Sequence, residues 1–214
     1  MTVIDSGTVL LVHGLWMNAL AMLPLAGRLE HCGFQVKRYG YKSVTRGLHE
    51  NARGLAAACK NVQQGGAARL HLVGHSLGGI LIMTMLQEHP EIHVHRVVLI
   101  GVPYAGSAAA RGLGHFGWSR SVLGHTIEDW GRRPRASVPQ GIEVGVIAGD
   151  VSFGLGRLFV NLPEPNDGVV MLSETQVPGA VDSIVLRTSH SAMLVSRPVA
   201  RATCTFLKTG SFKT

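Results

Sequence analysis

The sequence predicts an α/β fold: a doubly wound, mostly parallel sheet of about six strands flanked by helices. Three observations carry that expectation. Short β-branched runs alternate with longer helix-compatible segments along the chain. Most of the short runs are almost continuously apolar, as parallel strands covered on both faces must be. The 214 residues, 46% hydrophobic and 15% charged, suit a single domain with a sizeable core.

Strands are expected at 8–12, 35–39, 69–73, 96–100, 143–148 and 183–187. Between them, residues 19–32, 44–64, 77–87 and 191–207 have helical composition. One stretch breaks the alternation. Residues 104–139 are rich in Gly and Arg and hold Trp118 and Trp130. A connection this long is more often a functional loop than a simple crossover, so a short helical cap is expected there, inserted within the single domain.

Several classes are excluded. The apolar runs 79–83 and 97–100 fall far short of the roughly 20 residues of a membrane span. The net charge of +7 gives a basic chain, but its bases are scattered, with one loose cluster at Arg132, Arg133 and Arg135. Aromatics do not interleave with bases, so no nucleic-acid partner is expected. Cys32, Cys59 and Cys204 are odd in number and widely spaced, which predicts no disulfide framework and suits a reducing compartment. With no basic segment and cleavage site at the start, cytoplasmic localisation is expected, or secretion if a signal peptide has been removed.

The chemistry concentrates in Gly74-His75-Ser76-Leu77-Gly78, a G-x-S-x-G pentapeptide between an expected strand and an expected helix. A serine on a sharp strand-to-helix turn needs small neighbours, and the helix N-terminus beneath it favours developing negative charge. A serine hydroxyl is a weak nucleophile unless a base takes its proton and an acid orients that base. His190 follows the last expected strand and is the candidate base; His115 and His125 lie in the expected cap. Two acids follow the fifth strand, Asp150 directly and Asp167 in Asn166-Asp167-Gly168. An oxyanion would need backbone N–H donors. Leu77, after the serine, and Leu15, after the first strand, are the candidates. His13 reads as a support for that loop. Trp16 and Tyr104 are expected to line the substrate pocket.

These segments resemble the α/β-hydrolase superfamily, and within it the compact bacterial lipases and esterases. The resemblance rests on Val12-His13-Gly14, the pentapeptide at 74–78, Gly101-Val102-Pro103-Tyr104-Ala105-Gly106-Ser107, and Asn166-Asp167-Gly168-Val169-Val170 with His190 downstream. Val102 and Tyr104 stand where such lipases usually carry Thr and His. The leading antiparallel strands, a calcium site and a disulfide pair are not evident. The resemblance implies that Asp167 is the acid and that the activity is cleavage of carboxylic esters, with a small ester or a lipid as substrate and transient contact with a lipid surface. It implies no cofactor and no metal. A thioesterase or amidase with the same machinery and a non-catalytic binding protein on this scaffold remain open.

Two further patterns carry less. Residues 112–117 match G-x-G-x-x-G but follow no strand, so no dinucleotide site is expected. His89, His93 and His95 surround Pro90 and read as a solvated loop rather than a metal site.

Overall fold

The computed structural model describes residues 7–108, 126, 136–153, 162, 163 and 165–213. The strands are β1 (Thr8–Val12), β2 (Gln35–Tyr39), β3 (Leu70–His75), β4 (Arg96–Ile100), β5 (Glu143–Gly149) and β6 (Asp182–Leu186). They form one all-parallel sheet in the order β2-β1-β3-β4-β5-β6. Among the described residues the helices with both ends in view are α1 (Leu23–His31), α2 (Leu48–Gln64), α3 (Leu77–Glu88) and α4 (Arg197–Thr209). The expected fold class is therefore observed. The expected cap lies mostly outside the described residues, which leave out 109–125 and 127–135.

Alternation along each strand sends side chains to two cores. Leu10, Val12, Leu72, Val97, Leu99 and Val146 pack with α2 and α3. Val9, Leu11, Val73, Val98, Ile100 and Ile147 pack with α1 and α4 on the other face. Burial on both faces is why these strands read as continuous apolar runs. α3 is buried almost all round, whereas α4 is strongly one-sided, with Val199, Phe206 and Leu207 turned inward.

Helix boundaries are set by caps. The segment expected at 19–32 divides into a 3₁₀ turn (Ala19–Met22) and α1, with Pro24 in the first turn of α1. That expected at 191–207 divides into a 3₁₀ turn (Ser191–Val195) and α4, where Ser196 Oγ accepts from Val199 N–H and Pro198 enters the first turn. A proline lacks the N–H that a continuous helix needs, so both segments break there.

The cysteine expectation needs correction. Cys32 and Cys204 form a disulfide across 172 residues of sequence, and Cys59 is free and buried. The pairing follows from tertiary packing: α1 and α4 lie side by side on one face of the sheet, bringing the end of α1 against the middle of α4. Chain spacing carries no sign of that.

Chain order runs outward from β1 to β2 and then returns across β1 to β3. α1 and α2 consequently lie on opposite faces. The reversal opens a crevice beyond the C-terminal ends of β1 and β3, where doubly wound sheets place their ligands. The loops entering that crevice carry Leu15 and Ser76.

Closing a ring of this length restricts the unfolded chain by up to about 5 kcal/mol. Reduction should lower the melting temperature by on the order of 10 °C. Alkylation of the unreduced, denatured protein should modify Cys59 alone; labelling of all three cysteines would show that the bridge does not form.

Candidate active site

Ser76 joins β3 directly to α3 with φ 53° and ψ −125°, in a region that L-residues seldom occupy. Its N–H donates to the Ile100 carbonyl at the end of β4 (2.9 Å), and its carbonyl accepts from Gly79 N–H (3.0 Å). The turn is close-packed from below. A side chain at Gly78 would run into the carbonyl oxygens of Val12 and His13, which are backbone atoms with little freedom to yield. The glycine lets α3 start against the end of β1, and Ser76 is left half-buried at the crevice.

The β1 loop is fixed independently. His13 is fully buried and stacks on Tyr41, ring centres 4.4 Å apart. Its Nε2 accepts from Tyr41 N–H (3.3 Å), so Nδ1 carries the proton and donates to the Gly14 carbonyl (2.8 Å). The Tyr41 hydroxyl donates to the His13 carbonyl (3.0 Å). Burial lowers the His13 pKa, keeping the ring neutral. This matches the supporting role read from the sequence. Gly14 backs onto the serine: a Cβ there would stand 3.2 Å from Ser76 Cβ. Half-buried Leu15 follows, then Trp16 at φ 57°, 59% exposed. Leu77 is buried as the first residue of α3.

His190 and Asp167 meet. His190 Nδ1 donates to Asp167 Oδ2 at 2.8 Å, with both residues buried. The other carboxylate oxygen accepts from the N–H groups of Val169 (3.0 Å) and Val170 (2.7 Å). Asn166 shapes this turn, accepting from Gly168 N–H and donating to the Leu162 and Pro163 carbonyls. Asp150 is exposed, so of the two acids the sequence offered, the histidine meets Asp167.

The pair lies beside the serine. Gly101, at φ 57°, follows Ile100, whose carbonyl takes the Ser76 N–H. A Cβ on Gly101 would stand 3.2 Å from His190 Nδ1 and 3.3 Å from Asp167 Oδ2. The end of β4 thus touches the serine turn on one side and the His–Asp pair on the other. With Nδ1–H committed to Asp167, Nε2 holds the lone pair and can accept a proton. The serine turn and the His190–Asp167 pair are thus both packed against the residues that end β4.

The sequence model for the "Alpha/beta hydrolase family" matches residues 9–200. The chain belongs to the alpha/beta hydrolase family. Among solved structures, this family member resembles the lipase BlEst2 of Bacillus licheniformis in mature form, with TM-score 0.77 and 20% identity over 94% of this chain and 90% of the lipase. A metagenomic carboxyl esterase, MGS0156, gives TM-score 0.69 and 16% identity over 89% of this chain and 66% of the esterase. The RedJ thioesterase of Streptomyces coelicolor gives 0.63 and 13% over 97% of this chain and 86% of that one. These are likenesses of fold. No curated protein matches the sequence.

Other expected residues fall elsewhere in this alpha/beta hydrolase. Tyr104 is buried, its hydroxyl donating to the Ala136 carbonyl (2.6 Å) and accepting from Gln87 (3.2 Å), which anchors the loop after β4. His115, His125 and the 112–117 glycines lie outside the described residues. His89 faces Glu91 at 3.3 Å, and among the described residues no group of three His, Cys, Asp or Glu is disposed to hold a metal ion. Among the described residues no helix is long and apolar enough to cross a membrane. A cavity of about 570 Å³ lies against β5 and β6, lined by Val146, Thr175, Val177 and Val185 and by none of the site residues. A smaller one, about 370 Å³, is lined by His13, Asn18, Tyr41 and Arg46.

Two residues went unremarked in the sequence. Glu174 ties the acid turn to the β4 loop: its side chain accepts from Ala108 and Met171 N–H, and its carbonyl accepts from Ala105 N–H. No motif surrounds it. His75 precedes the serine, fully buried, with its ring centre 4.8 Å from that of His190. Its place inside the pentapeptide is a signal that could have been followed.

Burial, then the neighbouring His190, lowers the His75 pKa to about 3. An unfolded histidine takes a proton below about 6.5, whereas the native ring stays neutral down to about 3. Stability is therefore full above pH 6.5 and falls as pH drops through that window, by at most about 1.4 kcal/mol per pH unit from this residue. Urea midpoints should fall between about pH 7 and about pH 4.5, and the fall should be shallower in His75→Gln.

Proposed function

We propose that this protein is a serine hydrolase that cleaves carboxylic esters. The observation that carries the reading is the strained Ser76 turn beside a buried His190–Asp167 pair, both against the end of β4. The neighbouring lipase and esterase folds support it.

In this reading His190 Nε2 takes the Ser76 proton as Oγ attacks the ester carbonyl. The carbonyl oxygen becomes an oxyanion and takes N–H donation from Leu15 and Leu77. Asp167 stays ionised and stabilises the imidazolium. The tetrahedral adduct collapses, and the departing alkoxide takes the proton from His190. Water then gives a proton to His190 and attacks the acyl-enzyme. Collapse of the second adduct releases the carboxylic acid and returns the proton to Ser76.

Trp16 lies beside the proposed oxyanion loop and is the side chain we assign to the substrate. The hydroxyl of Tyr104, the other pocket candidate, is bonded within the protein, so its contribution is to hold the loop that edges the pocket. Exposed Trp16, Leu20 and Leu23 follow β1 in sequence and support transient contact with a lipid surface.

A fluorophosphonate should place a single adduct on Ser76, read by intact mass and peptide mapping. Ser76→Ala should abolish the adduct and ester turnover while leaving the melting temperature close to wild type. Asp167→Asn should lower kcat by on the order of 10³- to 10⁴-fold by removing the acceptor that holds the proton on Nδ1. Ester hydrolysis persisting in Ser76→Ala would exclude the mechanism. Matched oxygen esters and thioesters would separate an esterase from a thioesterase by relative kcat/KM.

A further inference from the structure

We infer that His75 is a positioning residue for His190, holding the histidine's backbone in place through its own Nε2–H. The inference rests on the proposed role of His190 as the base.

The His75 Nε2 lies 3.0 Å from the His190 carbonyl oxygen, a contact spanning 115 residues of sequence. A carbonyl only accepts, so His75 carries its proton on Nε2 and donates. The His190 N–H donates to the Asp167 carbonyl (2.9 Å), and its Nδ1 donates to the Asp167 carboxylate (2.8 Å). Of the three hydrogen bonds that His190 makes among the described residues, two thus come from one residue on one turn. Those two tie the histidine to that turn alone. The third comes from the other side of the crevice, from the residue adjoining Ser76. It fixes the separation between the serine and the base, on which proton transfer depends.

His75 suits that task. It is the last residue of β3 and lies in register with Ile100 on β4, so its backbone is held by the sheet. Its ring is fully buried and packs against the His190 ring. The titratable groups facing it are His190, Asp167 and His13, and burial keeps His75 itself neutral. A neutral donor places no positive charge beside the imidazolium that forms on His190, as a lysine or arginine there would. The Nδ1 atom of His75 makes no hydrogen bond among the described residues. A buried acceptor without a partner weakens the fold. The residue's value therefore lies in its donor.

The test compares wild type with His75→Gln, His75→Asn and His75→Leu. Glutamine puts an N–H donor near the Nε2 position; asparagine is too short, and leucine has none. Ester kinetics, melting temperature and imidazole NMR are measured on each. We expect His75→Gln within about 3-fold of wild type, with kcat in His75→Asn and His75→Leu down roughly 10- to 100-fold and KM little changed. In wild type, NMR should show His75 as the Nε2–H tautomer. The Nδ1 proton of His190 should exchange with solvent faster in His75→Asn and His75→Leu than in wild type and His75→Gln. Wild-type kcat and exchange in His75→Leu would overturn the inference. So would losses in His75→Gln as large as in His75→Leu that simply track melting temperature. Should wild type neither label nor hydrolyse esters, the ester reading fails separately, and the exchange measurement alone decides whether His75 holds His190.

Discussion

Holding Ser76 at φ 53° costs about 1–3 kcal/mol of backbone strain, and a single residue in that state relaxes unless its surroundings forbid it. Here they do. The residue is the only link between a strand buried on both faces and a helix buried almost all round. Its N–H is fixed to Ile100 and its carbonyl to Gly79. Relaxing the serine would require moving α3 off the carbonyls of Val12 and His13, and with it the apolar side chains that α3 contributes to one core. The strain is therefore held by the packing of the whole sheet, and the hydroxyl is presented at the switch point because the connection can run no other way.

A second constraint is electrostatic. A buried carboxylate is unfavourable unless its oxygens are hydrogen-bonded. Asp167 is fully buried and answers with His190 Nδ1–H on one oxygen and two backbone N–H groups on the other. That saturation requires an exact turn, which Asn166 supplies from within and Glu174 links to the β4 loop. Serine turn, acid turn and β4 end thus form one connected unit, with His190 bonded into it from two sides.

Much of this was legible in the sequence because burial imposes itself on composition. All six strands lie within one or two residues of their expected places; the four central ones are buried on both faces and leave little room for polar residues, whereas the edge strands β2 and β6 are partly exposed and carry several. The serine turn was legible because strand, small residues and helix follow one another in the chain. The helix breaks at Pro24 and Pro198 were blurred, since their flanks remain helical in composition. Both Asp150 and Asp167 follow β5; the Asn-Asp-Gly segment and its resemblance to the lipase pattern pointed to Asp167, and the fold of the Asn166 turn brings its carboxylate to His190. The Cys32–Cys204 bridge and the His75–His190 contact are products of packing over long separations; the bridge leaves no local trace, and His75 is marked only by its place inside the pentapeptide.

That bridge also changes what a protease can do to the molecule. Residues 32 and 204 enclose a covalent loop that contains Ser76, Asp167 and His190. A single cut anywhere inside it, including the long stretch between β4 and β5, yields two polypeptides still joined through sulfur. The nicked protein gains only the mass of one water and stays a single covalent molecule until a reductant is added. Scission between the serine and the histidine need not part them, so a clipped chain can retain an intact site, whereas a chain both clipped and reduced has no covalent link left between its two pieces.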